Sequence, residues 1–142
     1  MASHTHKLTI PSSTRYLEDV REFVTQKAKS AGFADSVVEQ LKIAVDEACT
    51  NVIKHAYGGE GEHVIDIVVI LLSDKLEVRI KDRGRSFDPN DYSEPNLIEF
   101  AKTGKSGGLG VHIMNRLMDR VEYRSGGGVN ECCLVKYRPG AK

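Results

Sequence analysis

Three stretches of the 142-residue chain carry side chains whose types and spacing could do chemistry. The first is Ile43-Ala-Val-Asp-Glu47-Ala-Cys-Thr-Asn51-Val-Ile-Lys-His55-Ala-Tyr57, which sets a carboxylate and a carboxamide four residues apart. At about 100° per residue, Val37, Leu41, Ala44, Val45, Ala48 and Val52 form one apolar helical face, with Asn51 on its border and Glu47 just outside it. Residues four apart share a helix side, so both polar groups point toward whatever the helix packs against. The second stretch is Asp82-Arg-Gly84. Leu76, Val78 and Ile80 share one face of a strand and Asp82 keeps their parity, which delivers a carboxylate to the core-facing side where the strand ends. The third, Ser106-Gly-Gly-Leu-Gly110, opens a helix through glycines. Glycine lets the backbone approach an anion closely, and a helix N-terminus offers unpaired N–H groups and a favourable dipole. Such parts would suit a nucleotide.

The familiar phosphate-binding patterns do not fit. Gly104-Lys105-Ser106 matches the end of a P-loop, but the first glycine would fall at Glu99 and no hydrophobic strand precedes it. A dinucleotide fingerprint starting at Gly108 would need glycine where Ile113 stands. The signatures of eukaryotic-type protein kinases are absent.

The elements that must position these residues follow from periodicity. Lys7–Ile10 is a short β-like run ending at Pro11, with His4 and His6 in an expected frayed tail. Ser12 or Ser13 is placed to cap a helix with stripe Tyr16, Leu17, Val20, Phe23, Val24, Ala28 and Ala31, stopped by Gly32. Ser36-Val-Val-Glu39 reads as a capping box for the second helix, which runs to about Tyr57 and ends at Gly58-Gly59, with His55 half-buried over its end. His63–Leu72 and Leu76–Asp82 form an antiparallel hairpin through Ser73-Asp74-Lys75. Residues 85–108 read as a long mobile loop, of a kind usually functional or disordered, with a hint of a helical turn only at Leu97–Lys102. Leu109, Ile113, Met114, Leu117 and Met118 stripe a third helix, and Val121–Arg124 with Glu131–Arg138 close the chain as a hairpin around Gly126-Gly127-Gly128. This order predicts an α+β fold, a two-layer sandwich of helices on one face of a mixed or antiparallel sheet, with residues 1–142 as one domain.

Composition narrows the partners. Twenty acidic and twenty basic residues balance, so no global field draws the chain to nucleic acid or an anionic membrane. The longest apolar run, Val64–Leu72, is interrupted by Asp66 and too short to span a bilayer, and the N-terminus lacks the apolar core of a secretory signal. Three cysteines without a Cys-x-x-Cys pair, two of them adjacent in a strand, argue against a disulfide scaffold or zinc site. A reducing cytoplasm is the expected location.

Glu47-x-x-x-Asn51, Asp82-x-Gly84 and Gly108-x-Gly110, in that order, resemble the three nucleotide-binding boxes of the GHKL ATPase superfamily, whose domain is the Bergerat-type ATP-binding fold. Leu41–Asn51 followed by His55-Ala-Tyr57, the start Lys7–Pro11 and the ending Asn130–Lys136 look like the RsbW/SpoIIAB group of anti-sigma-factor serine kinases. The resemblance implies that Asn51 binds Mg²⁺, that Asp82 accepts the adenine amine, and that Gly84 lets the base pack close. It further implies that Lys105, Ser106, Gly107, Gly108, Leu109 and Gly110 surround the phosphates of ATP and that Glu47 is the general base. Phosphoryl transfer needs chiefly positioning and charge neutralisation, so so few groups suffice. Two departures stand out: Lys105 occupies a place where better-known members carry arginine, and the hydroxyl residue expected on the last strands is absent, Asn130 to Cys133 filling that region.

The implied function is an ATP-dependent protein-serine kinase that also acts as an anti-sigma factor. It would sequester a sigma factor, phosphorylate an anti-anti-sigma protein of STAS type, and form a homodimer. No dimerisation helix with an acceptor histidine precedes the boxes, so a self-contained sensor histidine kinase is not expected. The alternative is a regulatory module that binds ATP without transferring phosphate; replacing Glu47 would tell the two apart.

Overall fold

A computed structural model of the chain describes residues 4–86 and 109–139, Leu109 by its backbone alone. Strand β1 (His4–Pro11) leads through a 3-10 turn (Thr14–Tyr16) into helix α1 (Leu17–Ser30). Helix α2 (Asp35–Asn51) continues into a π-helical turn (Val52–Ala56). There follow β2 (Val64–Leu71), β3 (Lys75–Asp82), α3 (Leu109–Leu117), β4 (Arg120–Gly126) and β5 (Val129–Tyr137). The strands form one sheet in the order β1-β2-β3-β5-β4, every neighbouring pair antiparallel. The α+β sandwich is thus as expected, with an antiparallel rather than a mixed sheet.

The stripes read from the sequence build the core. Val20, Val24 and Ala28 of α1 and Leu41, Ala44, Val45 and Ala48 of α2 pack with Met114 and Met118 on the sheet face carrying Ile65, Ile67, Val69, Leu76, Val78, Ile80, Cys132 and Leu134. Alternation along β3 therefore aims Asp82 into that layer, at the strand's end. The β4–β5 hairpin turns on Gly127 (φ 63°) and Gly128 (φ 80°), consecutive left-handed residues that suit a two-residue connection between twisted strands.

Four local expectations are corrected. His4 and His6 lie in β1, paired with Leu71 and Val69 of β2, because the partner strand, eight residues long, offers its backbone ladder as far as the N-terminal residues. The capping box does not form: Ala34, in extended conformation, is the N-cap without a side-chain bond, Asp35 supplies the first-turn carboxylate, and Glu39 pairs with Lys42 at 3.1 Å. Neither Ser12 nor Ser13 caps α1. The chain enters it through the 3-10 turn, and the Ser13 hydroxyl donates instead to Glu60 at 2.8 Å. His55 is exposed, because the wider π turn keeps Val52 and Ile53 buried and carries His55 off the stripe. Nearly all of the loop expected between β3 and α3 lies outside the described residues.

Candidate active site

Asn51 is the last residue of α2, before the backbone widens into the π turn. Asp82 closes β3, and the register sets Asn130 of β5 directly opposite it. Asn51, Val52 and Ala56 from the helix side, Asp82 and Asn130 from the sheet, and Met114 from α3 line one cavity together. The strand-end carboxylate and the helix-end carboxamide thus face a common space between the two layers.

A carboxylate that is only 6% exposed needs partners. Asp82 Oδ1 accepts two hydrogen bonds, from the Gly84 N–H at 2.9 Å and from the Asn130 Nδ2–H at 2.9 Å. Its second oxygen has no hydrogen-bond partner among the described residues. Asn51 Nδ2 is buried and has no partner among the described residues. Native interiors pair nearly all such atoms, so the unpartnered Asn51 amide on this cavity, facing the same space as a buried carboxylate, marks a place for a ligand.

Glu47 lies one helical turn before Asn51, half-buried. Burial, followed by the neighbouring Asp46 carboxylate, raises its pKa, while Lys54 pulls it back. Asp46 is itself held by Arg21 of α1, whose Nη1 donates to both its oxygens at 3.0 and 3.1 Å. A Cβ on Gly110 would lie 2.5 Å from Glu47 Oε2 and 3.8 Å from Asn51 Oδ1. The first turn of α3 therefore passes against both polar groups, and any side chain at Gly110 would have to displace the Glu47 carboxylate.

Gly84 also packs closely against a protein neighbour. A Cβ there would lie 2.6 Å from the Ala56 carbonyl carbon and 2.9 Å from Ala56 Cβ, so the segment after β3 presses on the backbone of the π turn. The Arg85 N–H donates to the Ala56 carbonyl at 2.8 Å, and the Arg85 guanidinium donates to the His55 carbonyl at 3.2 Å. Tyr57 completes this clamp: its hydroxyl donates to the Val64 carbonyl at 2.6 Å and accepts the Arg83 N–H at 2.9 Å.

Of the ten residues expected at the site, Glu47, Asn51, Asp82, Gly84 and Gly110 are brought together. Lys105, Ser106, Gly107 and Gly108 lie outside the described residues, as does the side chain of Leu109. Asn130 was not among the expected residues. The signal available for it was asparagine, a poor strand former, inside a β run just after the glycine turn. Among the described residues no group of three or more His, Cys, Asp or Glu is placed to hold a metal ion.

Residues 10–136 match the histidine kinase-like ATPase domain family. The chain is 34% identical to the serine-protein kinase RsbW of Bacillus velezensis, over 96% of this chain and 87% of that protein. It is 37% identical to the serine-protein kinase RsbW of Listeria monocytogenes, over 96% of this chain and 90% of that one. Among solved structures, the RsbU and RsbW domains of a Mycobacterium tuberculosis protein superpose over 97% of this chain with a TM-score of 0.67. At 15% identity that likeness speaks for the fold alone, and this chain spans 34% of that protein's length.

Proposed function

The chain belongs to the histidine kinase-like ATPase domain family, among its RsbW serine-protein kinases, and on that premise we propose how its residues divide the work. The 142-residue chain acts as one ATP-binding domain. It takes ATP with Mg²⁺ into the cleft between α2, α3 and the sheet and phosphorylates a serine on a STAS-type anti-anti-sigma protein. The same domain, as a homodimer in the cytoplasm, sequesters a sigma factor. No helix among the described residues is long and apolar enough to cross a membrane.

The observation that carries this reading is the cavity that Asn51 and Asp82 share, on which Asn51 Nδ2 is buried and has no partner among the described residues. Asp82 Oδ2 accepts the exocyclic amine of adenine. Asn51 would hold Mg²⁺ through its carboxamide oxygen, a hard donor of the kind that this ion prefers. Among the described residues no cluster of three or more His, Cys, Asp or Glu accompanies that carboxamide, which suits an ion that arrives with the nucleotide. When bound, Mg²⁺ neutralises charge on the transferring phosphoryl group. Lys105, Ser106, Gly107, Gly108, Leu109 and Gly110 surround the phosphates.

Glu47 accepts the proton of the substrate serine hydroxyl as its oxygen attacks. A carboxyl whose pKa is lifted by burial is a better base at neutral pH than an exposed one. Transfer of labelled phosphate from ATP to the serine of a purified STAS-type protein tests the proposal. Glu47→Gln should keep ATP affinity within about threefold and lower transfer by at least about a hundredfold. ATP binding without transfer by the unaltered chain, to any serine-bearing STAS partner, would leave only a regulatory module.

A further inference from the structure

Asn130 sits where hydrogen bonds from three parts of the site converge. Its Nδ2 donates to Asp82 Oδ1 at 2.9 Å, to the Gly84 carbonyl at 2.9 Å and to the Arg85 carbonyl at 3.3 Å. Its Oδ1 accepts the Ser125 hydroxyl at 2.8 Å. The Ser125 hydroxyl and the acceptors around Nδ2 fix the amide orientation, because exchanging oxygen and nitrogen would set Oδ1 against a carboxylate and two carbonyls. We propose that Asn130 is the positioning residue for base recognition: it occupies Asp82 Oδ1 so that Oδ2 alone faces the cavity, and thereby sets the preference for a 6-amino purine.

A free carboxylate rotates and offers either oxygen as a broad acceptor. Here Oδ1 is saturated by the Gly84 N–H and the Asn130 amide. What remains is one acceptor in a fixed direction, in a cavity whose other walls are largely apolar, among them Ala48, Val52, Ala56 and Met114. Such a site favours a base that presents an N–H donor and rejects one that presents a carbonyl oxygen, because the buried acceptor would then face another acceptor. The same amide ties the Gly84 and Arg85 carbonyls to β5, so the segment that packs against Ala56 is held to the sheet by the residue that orients the carboxylate. Sequence register explains the arrangement: Asn130 is the cross-strand partner of Asp82, and its parity with Cys132 and Leu134 turns it to the helix side. Asparagine meets the requirement because one side chain supplies two N–H donors for the loop and carboxylate and one acceptor for Ser125.

The inference rests on the proposed ATP site, and the test separates the two. Dissociation constants for ATP and for inosine triphosphate, which carries a carbonyl in place of the amine, are measured on the full chain by calorimetry. The unaltered chain should prefer ATP. Asn130→Ala should lose about tenfold of that preference, mostly through weaker ATP binding. Asn130→Asp keeps the shape but replaces the donor with an acceptor beside Asp82, and should lose at least as much. Ser125→Ala, a change at an exposed side chain, should lose about two- to threefold while folding normally. Binding of inosine triphosphate should change little in Ser125→Ala, a readout that general loosening of the fold would not leave constant. The inference is overturned if Asp82→Asn abolishes the preference while Asn130→Ala and Ser125→Ala retain it in full. Binding of neither nucleotide by the unaltered chain would remove the ATP site itself, and this inference with it.

Discussion

Glu47 pays for its position: a carboxyl raised above the ordinary glutamate value of 4.5 costs the folded state stability wherever it is ionised. The folded pKa exceeds the unfolded one, so the folded chain binds more protons between the two and stability falls as pH rises through that window. Glu47→Gln should therefore melt at the same temperature as the unaltered chain or a few degrees higher at pH 7, while losing transfer. For the active chain, transfer should fall on the acid side with an apparent pKa above 4.5, since the base must be ionised. Thermal melts and a pH–rate profile check both. Gly84 makes the opposite kind of demand. With a Cβ placed 2.6 Å from the Ala56 carbonyl carbon, Gly84→Ala must push the loop off the π turn, and should cost about 1–3 kcal/mol in denaturant unfolding and weaken ATP binding as well.

At the scale of elements, β3 shows why part of the site could be read directly and part could not. Its alternation fixes the side on which Asp82 emerges, because strand parity leaves no freedom once Leu76, Val78 and Ile80 are assigned to the core. The helical stripe of α2 likewise places Asn51 and Glu47, four residues apart, toward α3 and the sheet. The π turn at Val52–Ala56 has no comparable signature, since periodicity assumes a constant residue count per turn, and so His55 was misplaced and the contact between Ala56 and Gly84 was not visible. Asn130 stayed hidden for a related reason: its role depends on cross-strand register with Asp82, which the residue types alone do not give.

The outer face of β3 carries its own test. Burial alone would raise the Glu77 carboxyl, but hydrogen bonds and charge from Arg79 at 2.8 Å and Lys75 at 3.4 Å outweigh it and hold the pKa below the ordinary value. A depressed folded pKa gives stability that is present above the unfolded pKa and lost as pH falls through the folded one. Glu77→Gln should cost about 1 kcal/mol at pH 7, a modest figure because Arg79 and Lys75 are partly solvated, and the difference from the unaltered chain should fade in acid. Urea unfolding at several pH values measures it.

The described residues form a single antiparallel sheet with its helices on one side, and the three cysteines belong to that architecture rather than to redox chemistry. Burial pushes the Cys132 thiol up to about 12 and the Cys133 thiol up to about 11, and raises Cys49 as well. Thiolate is the reactive form, so alkylation at pH 8 should be slow for all three and should accelerate together only when the fold opens in denaturant. Mass spectrometry of the modified chain reports this directly; rapid modification of Cys49 in the folded state would contradict the packing of α2 on the sheet.

The cleft between the layers is the central claim, and calorimetric titration of ATP with and without Mg²⁺ into the unaltered chain and Asp82→Asn tests it most directly. ATP should bind with an affinity that rises with Mg²⁺ and falls by about tenfold or more in Asp82→Asn, because a carboxamide cannot reproduce the oriented carboxylate oxygen. Equal ATP affinity in the two proteins would contradict the assignment of Asp82 and, with it, the site built around the shared cavity.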